Sequence, residues 1–119
     1  MIVSFTPAER MEMMVELFTD DPRVEVRRFT GLLVNFLKEL NATIIIRGMR
    51  AVSDFEYEFQ MALMNRQLHP SLETVFLVPA LDLTYLSSSL VREVARFGGD
   101  VSALVHPAVA EALRARFAK

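Results

Sequence analysis

Two runs of consecutive apolar and β-branched residues constrain the fold of this chain more than any other feature. They lie at residues 43–46 and 74–78, and the first consists of one threonine and three isoleucines. Uninterrupted runs of this kind are typical of parallel strands that are covered on both faces. Because parallel neighbours need a long right-handed crossover between them, the runs predict an α/β fold with helices packed on a parallel sheet.

Helical segments alternate with these strands. A helix is predicted after Thr6, because a proline follows this cap and Glu9 completes a capping box. A second capping box at residues 53–56 predicts a helix from Ser53 to Leu68. Asn41 is a candidate left-handed cap for the segment before it. The remaining helices are predicted over residues 33–40, 87–97 and 106–117, and a short strand is predicted over residues 24–29.

The helix predicted between the two apolar runs carries two apolar stripes. One stripe comprises Phe55, Phe59, Ala62 and Leu63, and the other comprises Tyr57, Met61, Met64 and Leu68. Only one of them can face the sheet, so we expect the other to contact a neighbouring element or subunit.

Composition narrows the class of protein. A length of 119 residues with 52% apolar residues predicts one domain over residues 1–119. No apolar run approaches the ~20 residues of a spanning helix and the start lacks a signal-peptide pattern, so we expect no membrane partner and a cytoplasmic location. The lack of cysteine fits a reducing compartment. A net charge of -2 argues against a nucleic-acid partner.

Two arginines follow the isoleucine run. Arg47 and Arg50 stand at the predicted strand end, with Gly48 between them to let the backbone turn. Ligands of open α/β sheets bind beyond the carboxyl ends of the strands, and guanidinium groups suit phosphate oxygens there. The alternative is that both arginines pair with neighbouring carboxylates or lie in solvent. The spacing alone leaves these two interpretations open.

Three consecutive serines at a predicted helix start form a second candidate anion site. Ser87, Ser88 and Ser89 would add hydroxyl donors to the unpaired N–H groups of the helix start. Arg92 and Arg96 follow at helical spacing and would extend the site. The alternative is ordinary capping beside a solvated arginine stripe. Since one serine suffices for a cap, three favour the binding interpretation.

Other chemistry is less well supported by the residues themselves. Glu58 lies about one turn into its helix, near enough to the arginines to reach a ribose or base, although a solvated glutamate is the alternative. His69 and His106 both look structural and lack a second ligand at recognised spacing, so no metal site built by the protein is predicted. The sequence contains no P-loop, no G-x-G-x-x-G and no G-x-S-x-G motif.

Four segments match one family in the same order along the chain. They are FTPAER at residues 5–10, IRGMRAVSDFEYE at 46–58, ALMNR at 62–66 and LSSSLVREVA at 86–95. They resemble the bacterial phosphopantetheine adenylyltransferases over essentially the whole chain. The resemblance implies a Rossmann-like nucleotidyltransferase fold that transfers the adenylyl group of ATP to 4′-phosphopantetheine with Mg²⁺, giving dephospho-coenzyme A and pyrophosphate.

The resemblance also implies roles for individual residues. Arg47 would bind the phosphate of phosphopantetheine, and Leu33 would line the pantetheine channel. ATP would be contacted by Gly48, Met49, Arg50, Glu58, Leu83, Thr84, Tyr85, Leu86, Ser87, Ser88, Ser89 and Arg96. Leu83 stands where the family more often has an aromatic residue, which implies a looser adenine contact. The family forms hexamers, so a homo-oligomer is expected.

One part of the family pattern has no counterpart in this sequence. The family's N-terminal segment carries a [T/H]-x-G-H motif whose histidine, with an upstream threonine, binds the nucleotide phosphates in the transition state. The catalytic residues therefore remain unknown, and we expect about forty residues, roughly a βαβ unit, to be missing. Because that unit supplies the middle of the family's five-stranded sheet, we expect the 119-residue product alone to be less stable or less soluble than a full-length relative.

Two alternatives stand beside the adenylyltransferase hypothesis. One is a non-catalytic remnant that binds nucleotide or coenzyme A, or only assembles with intact subunits. The other is a sister nucleotidyltransferase with a different phosphate acceptor, which residues 47–58 make the least favoured.

Overall fold

The chain is organised in two compact units, which a computed structural model describes for residues 4–118 without the side chains of residues 52 and 53. The sheet unit comprises Phe29–Tyr85, and the terminal unit comprises the residues up to Arg28 together with those from Leu86 onward. The elements in chain order are α1 (Pro7–Leu17), α2 (Leu33–Glu39), β1 (Ile44–Gly48), α3 (Val52–Leu68), β2 (Glu73–Leu77), a 3₁₀ turn (Leu81–Leu83), α4 (Ser88–Arg96) and α5 (Pro107–Phe117). The predicted α/β class is confirmed.

β1 and β2 form the parallel sheet of the sheet unit. Their register pairs Ile44 with Glu73 and Gly48 with Leu77. Met49 extends the ladder by donating its backbone N–H to the Leu77 carbonyl oxygen at 2.9 Å. α3 forms the crossover that parallel neighbours require, as predicted. The carboxyl ends of both strands therefore lie at the same edge.

The sheet unit covers only one face of this sheet. Thr74 and Phe76 are partly buried and, together with side chains of α3, line a cavity of about 150 Å³. On the opposite face Ile44 and Ile46 are 61% and 66% exposed. The expectation that both strands are covered on both faces is therefore wrong within the sheet unit. The physical reason is that α3 lies on one face, while residues 29–85 leave the other face largely exposed.

α3 turns an unexpected set of side chains inward. Its less exposed side chains among those described are Asp54, Glu58, Ala62 and Asn65, which recur every three or four residues and so share one side of the helix. Members of both apolar stripes are substantially exposed: Phe55, Tyr57, Phe59, Met61, Leu63, Met64 and Leu68. The first stripe meets the sheet only in part, since Phe59, Ala62 and Leu63 line the cavity with Thr74 and Phe76. The less exposed positions of the helix include carboxylates that pair with arginines at the end of β1.

Local signals placed one helix start incorrectly and one helix end correctly. α3 begins after Ala51, whose side chain makes no capping hydrogen bond, so Ser53 lies inside the first turn and is not the predicted cap. The Asp54 carboxylate instead accepts a hydrogen bond from the backbone N–H of Arg50 at 3.3 Å. Asn41 adopts the left-handed conformation with φ 56° just beyond α2, as predicted.

The terminal unit is built from α1, α4 and α5. Its core contains Val91, Ala95, Val101, Ala110 and Leu113. These residues come from α4, α5 and the loop between them, so packing of two helices and a loop forms the core. Apolar burial of this kind is the main source of stability for such a unit.

The helix starts of the terminal unit agree with their local sequence signals. Thr6 and Glu9 form the predicted capping box, with each side chain accepting from the other residue's backbone N–H at 3.1 Å and 2.9 Å. His106 caps α5 through its Nδ1, which accepts from the Ala108 N–H at 3.1 Å. The structural role predicted for His106 therefore has a visible basis.

Residues 24–29 do not form the predicted strand. Among residues 4–118 the strands that pair are β1 and β2. A strand needs a neighbour for its backbone N–H and C=O groups, and an alternating pattern does not provide one. The alternation at residues 24–29 therefore gives an irregular segment here.

Candidate anion-binding site

Arg47 lies in β1, one residue before its end, and pairs with Glu58 of α3. The Arg47 Nε–H donates to Glu58 Oε2 at 3.1 Å, and Arg47 Nη2 donates to Glu58 Oε1 at 2.7 Å. This two-pronged contact uses the planar fork of the guanidinium. The hydrogen bonds to Glu58 raise the pKa of Arg47 above its ordinary value, so the guanidinium keeps its positive charge.

Arg50 pairs with the other inward carboxylate of α3. Its Nε lies 3.4 Å from Asp54 Oδ2, and the same oxygen accepts the backbone N–H of Arg50 at 3.3 Å. Asp54 and Glu58 are four residues apart and therefore stand one turn above another on the same side of α3. The helix thus presents two carboxylates to the two arginines at the carboxyl end of β1.

These two ion pairs match the alternative in which the arginines bind neighbouring carboxylates. The pair with Glu58 does not occupy the whole Arg47 guanidinium, since the Arg47 side chain is 50% exposed. Arginine offers five N–H donors, and one carboxylate occupies at most two of them in a fork. A phosphate can therefore bind the same guanidinium while the carboxylate stays in place. Binding of a ligand by Arg47 and Arg50 remains a prediction.

The serine run starts α4 in the terminal unit. Ser87 is the N-cap, and its Oγ accepts the backbone N–H of Leu90 at 3.1 Å. Ser88 and Ser89 are exposed on the first turn, where backbone N–H groups attract anions. One serine therefore performs the capping role, and the other two hydroxyls lie at the solvent side of the helix start.

The two arginines of α4 have different surroundings. Arg92 donates from Nη2 to the Ser89 Oγ at 3.3 Å, as the three-residue spacing predicts. The Arg96 guanidinium lies over the Phe97 ring, 5.1 Å from its centroid, which is a cation–π contact. An ATP contact by Arg96 remains a prediction.

The other predicted site residues are divided between the two units. Leu33 is the first residue of α2 and is partly buried. Leu83, which ends the 3₁₀ turn, and Tyr85 are exposed, and Thr84 donates its hydroxyl to the Leu81 carbonyl oxygen at 2.8 Å. Leu86 belongs to the terminal unit, where it packs against the core. The predicted convergence of the arginines and the serine run on one ligand stays a prediction.

No gathering of three or more histidine, aspartate or glutamate side chains suited to a metal occurs within the described part of the chain. In the same range, no helix is long and apolar enough to cross a membrane.

A second cavity, of about 490 Å³, lies in the terminal unit between the end of α4 and α5 and is lined by Asp100 and Arg114 among others. Neither this cavity nor the one beneath α3 is lined by Arg47 or Arg50.

Sequence reasoning did not assign a site role to Asp54. The signal that identifies it is its spacing from Glu58, since two acidic residues four apart in a helix after an arginine-bearing strand fall on one side. The capping box predicted at residues 53–56 assigns Asp54 to the helix start and does not predict its pairing with Arg50.

Comparisons with known proteins place this arrangement in a class and then in a family. Residues 4–94 match the family model described as cytidylyltransferase-like. A phosphopantetheine adenylyltransferase from Aromatoleum aromaticum (strain DSM 19018 / LMG 30748 / EbN1) is 57% identical over 109 residues, which cover 92% of this chain and 67% of that relative. The chain therefore belongs to the phosphopantetheine adenylyltransferase family of cytidylyltransferase-like proteins.

Proposed function

We propose that this protein transfers the adenylyl group of ATP to 4′-phosphopantetheine, giving dephospho-coenzyme A and pyrophosphate. The observation that carries the proposal is the 57% identity to a curated phosphopantetheine adenylyltransferase over 92% of the chain. Two arginines at the carboxyl end of β1 support it, because that edge is where α/β sheets bind ligands. The alternative of a non-catalytic remnant is not favoured by an identity of this size.

The reaction needs little covalent help from the protein. An oxygen of the phosphopantetheine phosphate attacks the α-phosphorus of ATP, the bond between that phosphorus and the bridging oxygen to the β-phosphate breaks, and pyrophosphate leaves with the electron pair. The nucleophile is already an anion, so positioning and charge stabilisation contribute more than a protein base. Arg47 would hold the acceptor phosphate, while Arg50, Ser88 and Ser89 would stabilise the triphosphate.

The family resemblance supplies the full set of proposed contacts. Leu33 and Arg47 would bind phosphopantetheine. The proposed ATP contacts are Gly48, Met49, Arg50, Glu58, Leu83, Thr84, Tyr85, Leu86, Ser87, Ser88, Ser89 and Arg96. We propose that Mg²⁺ arrives with ATP, whose phosphate oxygens are the hard ligands that this ion prefers.

Two further properties belong to the same proposal. The exposed apolar side chains of α3, including Tyr57, Met61 and Met64, support association of several copies into a homo-oligomer. Sedimentation equilibrium measures the number of copies, and a monomer at micromolar concentration would contradict this part. The cytoplasm is the proposed location, and the lack of cysteine fits such a reducing compartment.

Pyrophosphate release tests the proposed reaction. We expect release with ATP and phosphopantetheine, and little release when nicotinate mononucleotide or glycerol 3-phosphate replaces phosphopantetheine. Mass spectrometry should find dephospho-coenzyme A as the second product. Equal release with either replacement acceptor would instead support a sister nucleotidyltransferase.

A further inference from the structure

The contact between Glu58 and Arg47 leaves one particular edge of the guanidinium available. The two hydrogen bonds use the Nε–H and Nη2, which form the side edge of the group. Of the five N–H donors of an arginine, both Nη1–H groups and the second Nη2–H remain. Two of these three, one Nη1–H and the second Nη2–H, point the same way and form the end edge, which matches two phosphate oxygens.

The side chains of Glu58 and Arg47 differ in the fraction that is exposed to solvent. The Glu58 side chain is 12% exposed, whereas the Arg47 side chain is 50% exposed. A carboxylate that is mostly removed from water needs a cation and hydrogen-bond donors beside it. Glu58 is therefore enclosed on the inner side of α3, while the outer half of Arg47 faces solvent.

We propose that Glu58 is a positioning residue for Arg47, fixing the side edge of the guanidinium so that its end edge receives the phosphate of the acceptor substrate. This inference rests on the proposed function. It gives Glu58 a role in phosphopantetheine binding in addition to its proposed contact with ATP. Without Glu58 the long Arg47 side chain regains rotamer freedom, and this freedom is lost again when the phosphate binds.

The test compares KM for the two substrates in Glu58→Gln and Glu58→Ala. Glutamine keeps one acceptor oxygen and loses the two-pronged contact, so we expect KM for phosphopantetheine to rise about tenfold and KM for ATP to rise by less. In an Arg47→Lys background the Glu58→Gln change should raise KM for phosphopantetheine little further, because lysine lacks the guanidinium that Glu58 would position.

Glu73→Gln is the matched control. Glu73 forms an ion pair with Arg66 at 2.7 Å in the same unit, and the same chemical change is made there. By the strand register it lies level with Ile44, three residues before Arg47, which is about 10 Å along the strand. We expect both KM values to be unchanged in this variant.

Isothermal titration calorimetry with phosphopantetheine alone measures the Kd without catalysis. We expect the Kd of Glu58→Gln to rise about tenfold while Glu73→Gln matches the unmodified protein. A rise in KM for ATP equal to or larger than that for phosphopantetheine would overturn the positioning role, and so would an unchanged Kd. Failure of the unmodified protein to bind phosphopantetheine would overturn the proposed function, and the positioning role with it.

Discussion

Arg116 near the end of α5 donates a hydrogen bond to Glu9 in the first turn of α1, although 107 residues separate them in the chain. Glu9 uses its other carboxylate oxygen in the capping box, where it accepts the backbone N–H of Thr6. Arg116 also lies over the Phe5 ring, 5.2 Å from its centroid. One glutamate therefore caps the first helix and joins it to the last.

The stability of the protein should depend on the ionisation of Glu9. The Thr6 backbone hydrogen bond, with smaller contributions that include the Arg116 charge, lowers the pKa of Glu9 below its ordinary value of 4.5. Since the unfolded chain takes up this proton first as pH falls, the stabilisation is complete above about pH 4.5 and is lost as pH drops through the folded-state pKa.

We expect the urea midpoint of Glu9→Gln to fall less between pH 6 and pH 3 than that of the unmodified protein. Glu12→Gln on the same helix is the control, because Glu12 is exposed and makes no ion pair that the structure shows within residues 4–118. A midpoint that falls equally steeply in all three proteins would contradict the role of Glu9.

Removal of the Arg47 side chain should weaken phosphopantetheine binding. A hydrogen bond to a charged group contributes about 1.5–3 kcal/mol, so Arg47→Ala should raise KM for phosphopantetheine about 10- to 150-fold. It should also destabilise the fold, because the mostly buried Glu58 loses its cation. Steady-state kinetics and urea unfolding measure the two effects. Arg66→Ala removes a more exposed pair and should change neither by much.

Ser87 should contribute more to stability than Ser88 does. Ser87→Ala removes the cap of α4 and should reduce the free energy of unfolding by about 1 kcal/mol. Ser88→Ala removes no capping bond, so we expect little change in stability and a higher KM for ATP. Thermal unfolding of both variants measures the difference, and equal destabilisation would argue against Ser87 as the sole cap.

Gly98 ends α4 in a conformation that favours glycine. Its φ is 82°, and a Cβ placed there would meet no atom within 4 Å, so the cost of Gly98→Ala is conformational alone. We expect a loss of roughly 1–2 kcal/mol in the free energy of unfolding. Gly48→Ala is the control, because its φ is ordinary and its Cβ would also meet open space. That variant should be neutral or slightly more stable.

Most helix ends, and the order of the elements apart from residues 24–29, followed from the sequence by itself. The capping box at Thr6, the cap at Ser87 and the turn at Asn41 each involve groups within a few residues of one another. Such bonds form between neighbours in the chain, so they hardly depend on the rest of the fold. The parallel pairing of β1 and β2 was predictable for a related reason, since two apolar runs separated by a helical segment have few other arrangements.

Tertiary structure alone decided which side of α3 faces the sheet and whether residues 24–29 pair as a strand. The apolar pattern of α3 offered two sides that could face inward. In the structure the less exposed side is a third one, which carries Glu58 and Asp54, and these residues pair with Arg47 and Arg50. Residues 24–29 had the alternation of a strand, but they pair with no strand among residues 4–118. Both outcomes depend on groups far away in the chain, whose positions a local pattern does not contain.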